Sequence, residues 1–140
     1  MTLSKGLTFG AAIMIGFGSL MALAALPALN LPIRLLADLI LWPMDGAETL
    51  AAPESRLLLA ISGGVLAGWG VLVLGLAGEP ARQAPDTTRR IALTAYVAWF
   101  AIDSTASVAA GAPLNVVGNL AFLALMAGPI LKPTATIQAT

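Results

Sequence analysis

The chain contains no cysteine and no histidine. Without cysteine there is no disulfide, thiolate nucleophile or iron–sulfur cluster. Without either residue there is no Cys/His zinc site and no haem ligation by these side chains. A Ser-His-Asp triad is equally excluded. Charge is scarce as well: 10% of the 140 residues are charged, where ordinary soluble domains carry about 25%. Seven acids balance seven bases, so no net field draws the chain toward nucleic acid. No Lys/Arg-rich run or aromatic–basic platform suggests such a partner either. No catalytic, cofactor-binding or metal-ligating set is therefore expected, and the chain reads as a non-enzyme.

What is abundant is apolar surface. Hydrophobic residues make up 59% of the chain. A soluble fold of this size still exposes about a third of its unfolded surface, so it cannot hide that excess. The bilayer is the natural solvent. Four apolar stretches, at about 7–26, 57–77, 91–110 and 114–131, come close to the roughly 20 residues that a transmembrane helix needs. Pro27, "GEP" at 78–80 and "GAP" at 111–113 punctuate them, and Pro53 and Glu54 suit the first turn of the second. The expected fold is all-α: one domain over residues 1–140, a polytopic membrane protein with four transmembrane helices in an up-down bundle. Lys5, the following apolar run and "ALA" at 22–24 also resemble a signal peptide; a retained first helix is the working reading.

Orientation follows the basic residues. With the amino terminus inside, Lys5, Arg82, Arg89, Arg90 and Lys132 are cytoplasmic, and only Arg34 and Arg56 lie outside. That split predicts both termini in the cytoplasm. The outer loop at 27–56 carries "NLPIRLLADLILW", which reads as a short amphipathic helix capped by Asn30 with Pro32 in its first turn. Arg34 and Asp38 share one side of it at i, i+4, and Trp42 is placed at headgroup level. Asp45 and Glu48 have the spacing of a capping box. The loop reads as a connector lying on the membrane, or as a lid or docking surface. The inner loop "GEPARQAPDTTRR" and the tail "KPTATIQAT" read as polar and aperiodic.

Lipid tails are as apolar as leucine, so small residues must let helices approach one another. Gly10, Gly18 and Ala22 form one row on the first span, with Ala12 and Gly16 on the next. Ala60, Gly64 and Gly68 form a row at a spacing of four on the second. These rows are expected to pack helices within the chain; alternatively they dimerise it or open a groove. Asp103 is the carboxylate inside a span. Counted along the tight hairpin of the third and fourth spans, Asn119, Asn115 and Ser107 lie at similar depth, as do Ser62 and Ser19. Tyr96, Trp99, Asp103 and Ser107 form a stripe on one helix face. An acid near the bilayer centre costs about 2.5–3.5 kcal/mol unless it faces the bundle interior and finds partners. Asp103 is thus either a hydrogen-bonded knot with Asn115, Asn119 and its serine neighbours, or a proton carrier or contact for a polar or cationic ligand with Trp99 and Tyr96 as walls.

"WPMDGAETL" and "GAPLNVVGNLAFL", with the four-span layout, resemble small four-helix integral membrane proteins of proteobacteria. The resemblance implies placement in a bacterial inner membrane, and no activity, cofactor or catalytic residue comes with it. The functional expectation is a non-catalytic accessory or assembly subunit of a larger membrane-protein complex, respiratory or photosynthetic in kind, or else a homodimer, in contact with membrane lipids. The alternative is a small carrier or binding protein for a lipid, quinone or cationic solute that uses Asp103.

Overall fold

The computed structural model describes residues 1–131, and all of its regular structure is helical. The six α-helices are α1 (Leu3–Leu23), α2 (Leu31–Leu41), α3 (Pro53–Leu76), α4 (Glu79–Gln83), α5 (Pro85–Ala109) and α6 (Asn115–Leu131). Lys132 and the tail read above as aperiodic lie outside the described residues. Three helices, α1, α3 and α5, are long and apolar enough to cross a membrane, while α6 has 17 residues. At 1.5 Å per residue α6 is about 26 Å long, slightly less than a hydrocarbon core of about 30 Å.

The helices do not end where the apolar runs end. Each long helix carries polar turns at its start that hydropathy leaves out. The Thr2 hydroxyl caps α1 by accepting the Lys5 N–H at 3.3 Å, four residues before the expected start. Pro53 and Pro85 occupy first-turn positions of α3 and α5, followed by Glu54 and Asp86, acids suited to a helix N-terminus. α5 therefore begins six residues before the apolar boundary at 91, and the remainder of the inner loop folds into α4. α1 stops at Leu23, where the chain turns toward Pro27.

α1 is the central helix. It packs along α3 on one side and α6 on the other, and α5 packs on α6. The α1–α3 contact is backbone on backbone. A Cβ added to Gly18 would lie 2.6 Å from the Gly63 carbonyl and 2.5 Å from the Ala67 nitrogen, and one added to Gly63 would meet the Gly18 carbonyl at 2.5 Å. Gly70 continues the seam against Ile15 and the Ala11 carbonyl, and Gly6 brings α1 equally close to Ile130 and Pro129 of α6. Gly18 thus packs as the sequence suggests, but the row on α3 is not Ala60–Gly64–Gly68. Gly64 and Gly68 have nothing among the described residues within 4 Å of where a side chain would begin, and Gly16 is equally open. The facing row starts one residue earlier, at Gly63, and this rotates α3 by about 100° from the spacing-of-four reading. Spacing alone cannot distinguish a row facing a neighbour from one facing lipid, because both are apolar.

Gly18→Leu or Gly63→Leu should therefore destabilise the fold by more than the roughly 1–3 kcal/mol typical of overpacking, since backbone atoms cannot move aside. Gly64→Leu and Gly68→Leu should leave the isolated chain's unfolding in detergent near that of the parent. The reverse order of the two pairs would mean that α3 packs through its other face.

Candidate functional site

A tight turn brings the polar residues of α5 and α6 together. Gly111 takes a left-handed conformation, φ +82°, which a residue with a side chain rarely adopts. The Gly111 N–H donates to the Val108 carbonyl at 3.1 Å, and the Ala112 N–H to the Ser107 carbonyl at 2.9 Å, closing the end of α5 in a Schellman motif. α6 starts four residues after Gly111, so Asn115 and Asn119 on successive turns face Asp103 and Ser107.

Five hydrogen bonds, three of them to one carboxylate oxygen, organise the cluster. Asn119 Nδ2 donates to Asp103 Oδ1 at 2.6 Å, Asn115 Nδ2 to the same oxygen at 3.1 Å, and the Ser107 hydroxyl to it at 3.2 Å. Each amide shares its second proton with a hydroxyl: Asn119 with Ser104 at 3.2 Å and Asn115 with Ser107 at 2.8 Å. Ser104 and Asn119 are buried, while Asp103 is only partly so. The other carboxylate oxygen, Oδ2, accepts no hydrogen bond among the described residues and is not enclosed by protein atoms. Of the residues proposed from the sequence, Asp103, Ser107, Asn115 and Asn119 are brought into direct contact.

Asp103 stands on the wall of a cavity of about 940 Å³. Phe17 and Met21 of α1, Ser62, Val65 and Trp69 of α3, and Trp99 of α5 line it. α6 adds Asn115, Asn119, Ala121 and Phe122, and the apolar side of α2 adds Ile33, Leu36 and Ile40. Four neighbouring aromatic contacts cross the bundle: Phe17–Phe122, Phe122–Trp99, Trp99–Trp69 and Trp69–Tyr96, with ring centres 5.6, 5.7, 6.4 and 5.8 Å apart. Trp99 and Ser62 thus reach the site as expected, although Ser62 makes no hydrogen bond to the cluster. Tyr96 does not line the cavity; it is fully buried beside Trp69, with its hydroxyl unpartnered among the described residues. Ser19 is exposed on the outside of α1, so the first span contributes Phe17 rather than a hydroxyl. Trp69 was not singled out from the sequence, and α2 was expected as an amphipathic connector, lid or docking surface rather than as a wall of this site. The available signal was Trp69's position deep inside α3, away from the headgroup level where tryptophan concentrates.

α2 is held in place by the loop after it. Asn30 precedes α2 but gives no side-chain cap. Arg34 and Asp38 do not pair with each other. Instead the Arg34 Nε–H donates to the Glu48 carbonyl at 3.3 Å, and Asp38 Oδ1 accepts the Gly46 N–H at 2.8 Å. The capping-box reading of Asp45 and Glu48 is also corrected. No helix begins there, and Asp45 accepts the Ala47 N–H at 3.0 Å within a turn. Asp38, Asp45 and Glu48 place carboxylate oxygens within 4.8 Å of one another and are the described acids that could converge on a cation. Hydrogen bonding toward Asp38, then burial and the neighbouring negative charges, raise Glu48 above its ordinary value of 4.5.

Asn119→Leu should cost about 1–3 kcal/mol, the penalty for leaving buried polar partners short of a donor. Adding Asp103→Leu should cost less than the sum of the two single changes, because the orphaned acceptor leaves with it. A double-mutant cycle read by unfolding in detergent checks this, and strict additivity would show that the 2.6 Å contact carries no coupling.

Comparison with protein-family models, with curated proteins and with solved structures finds no match to this chain. What the site can do is therefore argued from its own residues.

Proposed function

We propose that the chain is a small bacterial inner-membrane protein that binds an amphiphilic small molecule in the cavity between α3, α5 and α6. The observation that carries this reading is Asp103, with one carboxylate oxygen unpaired among the described residues, on the wall of a largely apolar space of about 940 Å³. That volume is at the upper end of the roughly 300–1,000 Å³ of small-molecule sites, and an apolar lining with few polar groups is their usual make-up. Among the described residues no acid or base stands beside Asp103 to complete a catalytic pair, so binding or carriage fits the residues better than turnover.

In this reading α6 is a fourth span in an up-down arrangement, short enough to need slight thinning of the bilayer or snorkelling of flanking residues. Both termini are cytoplasmic and α2 lies on the periplasmic face, with Leu31, Leu35 and Leu39 exposed toward lipid. A second reading, the accessory subunit of a larger inner-membrane complex, is favoured by a different observation. Ala60, Gly64 and Gly68 present an open row of small residues on the outside of α3, where another transmembrane helix could approach closely.

Native mass spectrometry of the chain extracted from membranes should show one small molecule bound per chain. Ala121→Trp, which fills part of the cavity, should release it without lowering the unfolding temperature by more than a few degrees. A chain that carries no small molecule but co-purifies in fixed stoichiometry with a larger membrane protein would favour the second reading.

The orientation has its own test. Because the native chain lacks cysteine, Ala47→Cys offers a single reactive thiol in the exposed loop after α2. It should react with a membrane-impermeant maleimide once the outer membrane is permeable and the inner membrane is intact. Labelling only after the inner membrane is broken would invert the topology.

A further inference from the structure

We propose that the occupant of the cavity is a lipophilic cation, an apolar body bearing a positively charged nitrogen that is held against Asp103 Oδ2 and the faces of Trp69 and Trp99. This rests on the cavity reading above and adds the chemical class of its ligand.

The argument is an inventory of donors and acceptors at one end of the cavity. An amide nitrogen has two protons to give and a hydroxyl one. Both protons of Asn119 Nδ2 and both of Asn115 Nδ2 are already directed at Asp103 Oδ1 and at Ser104 and Ser107, and the Ser107 proton is directed at Oδ1. The amide protons of the two lining asparagines are thus committed while Asp103 Oδ2 is left as an unpaired acceptor, and the donor left over among the polar lining side chains is the Ser62 hydroxyl. Among the described residues no lysine or arginine lines the cavity. A fatty-acid carboxylate or a phosphate would bring negative charge to a carboxylate with no cation to offset it. A quinone, whose polar atoms are acceptors, would have to turn toward Ser62 or the indole N–H groups and leave Oδ2 unpaired in an apolar space. A positive nitrogen meets the carboxylate directly.

The aromatic wall agrees with this independently. Trp69 and Trp99, ring centres 6.4 Å apart, both line the cavity, and Trp99 lies one helical turn from Asp103 on the same face. Tryptophan is the strongest cation–π partner among the side chains, and the attraction grows where water is excluded. Carboxylate and indole faces together suit an ammonium better than either a neutral or an anionic headgroup.

The test uses three probes with the same ten-carbon chain: decyltrimethylammonium, decanol and decanoate. The full chain in phosphatidylcholine nanodiscs is titrated by tryptophan fluorescence, with empty nanodiscs subtracting plain partitioning into lipid. Decyltrimethylammonium should saturate at least about tenfold tighter than decanol, with decanoate weakest. Asp103→Asn should remove that preference, because the amide keeps an acceptor for the three donors but offers the cation no charge. Equal affinity for cation and alcohol in the parent would overturn the inference while leaving the cavity reading intact, and so would a preference that persists in Asp103→Asn or in the plugged Ala121→Trp chain. If none of the three probes saturates, the cavity reading itself fails. The parent's ranking of the probes decides the question even if Asp103→Asn does not fold.

Discussion

Close approach of α1 and α3 at Gly18 and Gly63 decides where the other helices can go. Two transmembrane helices gain little from burying leucine against each other, because lipid offers leucine the same contacts. They gain from fitting closely, and here the fit is limited only by the backbones themselves. Once α1 and α3 share a seam along Gly18, Gly63 and Gly70, the remaining faces of α1 must receive α6, which Gly6 admits as closely at the opposite end. α5 then packs on α6, and its Tyr96 hydroxyl comes up against Gly10 of α1. It meets α3 across large rings, Trp69 against Tyr96 and Trp99. A bundle with one side closed by glycine and the other propped by tryptophan leaves space between its helices, and the cavity is that space.

The ends of the helices are tied in a way that suits the same environment. The last carbonyls of a helix have no partner of their own, and they carry the negative end of its dipole. Arg56, at the start of α3, donates to the Ala25 carbonyl just past α1 at 2.8 Å. Arg89, early in α5, donates to the Ile130 carbonyl of α6 at 3.0 Å while pairing with Asp86. The Ser4 hydroxyl does the same for the Ala77 carbonyl past α3 at 2.7 Å. Arg56 and Arg89, placed by sequence reasoning as topology markers, therefore also join the ends of α1 and α6 to a neighbouring helix. The pair Arg34 and Asp38 follows the same logic: each reaches for loop backbone, so that α2 is fixed beside the cavity.

How much of this was legible in the sequence depends on the kind of signal. The helices themselves, and the neighbourhood of Asp103 with Ser107, Asn115 and Asn119, follow from hydropathy, helical spacing and the "GAP" turn, because a short hairpin leaves few ways to pair two helices. The facing of α3 did not follow. Gly63 and Gly64 are adjacent, both belong to plausible small-residue rows, and an apolar solvent removes the polar–apolar contrast that identifies an outer face in soluble helices. The cavity was illegible for a related reason. It is a property of the spacing between α3 and α5, set by side chains on five helices at once, and Phe17, Trp69 and Phe122 are far apart in sequence. Helix starts were misplaced wherever polar residues such as Asp86 and Thr88 extend a helix beyond its apolar run.

The two sequence readings of Asp103, structural knot and ligand contact, are compatible because a carboxylate has two oxygens. Oδ1 receives Asn119, Asn115 and Ser107, and those bonds fasten α5 to α6. Oδ2 accepts none of them, and in the proposal above it is the oxygen that meets a ligand in the cavity that Asp103 lines. Holding one oxygen with three donors fixes the rotamer and so fixes where the other oxygen lies, a preorganisation that lowers the ordering cost of binding. The asparagines are then more than glue, since each donor they commit to Oδ1 is a donor withheld from the cavity. A site made polar in this way selects by what it refuses to supply as much as by what it offers, and it does so with a single charged residue in a membrane where each further charge would cost kilocalories.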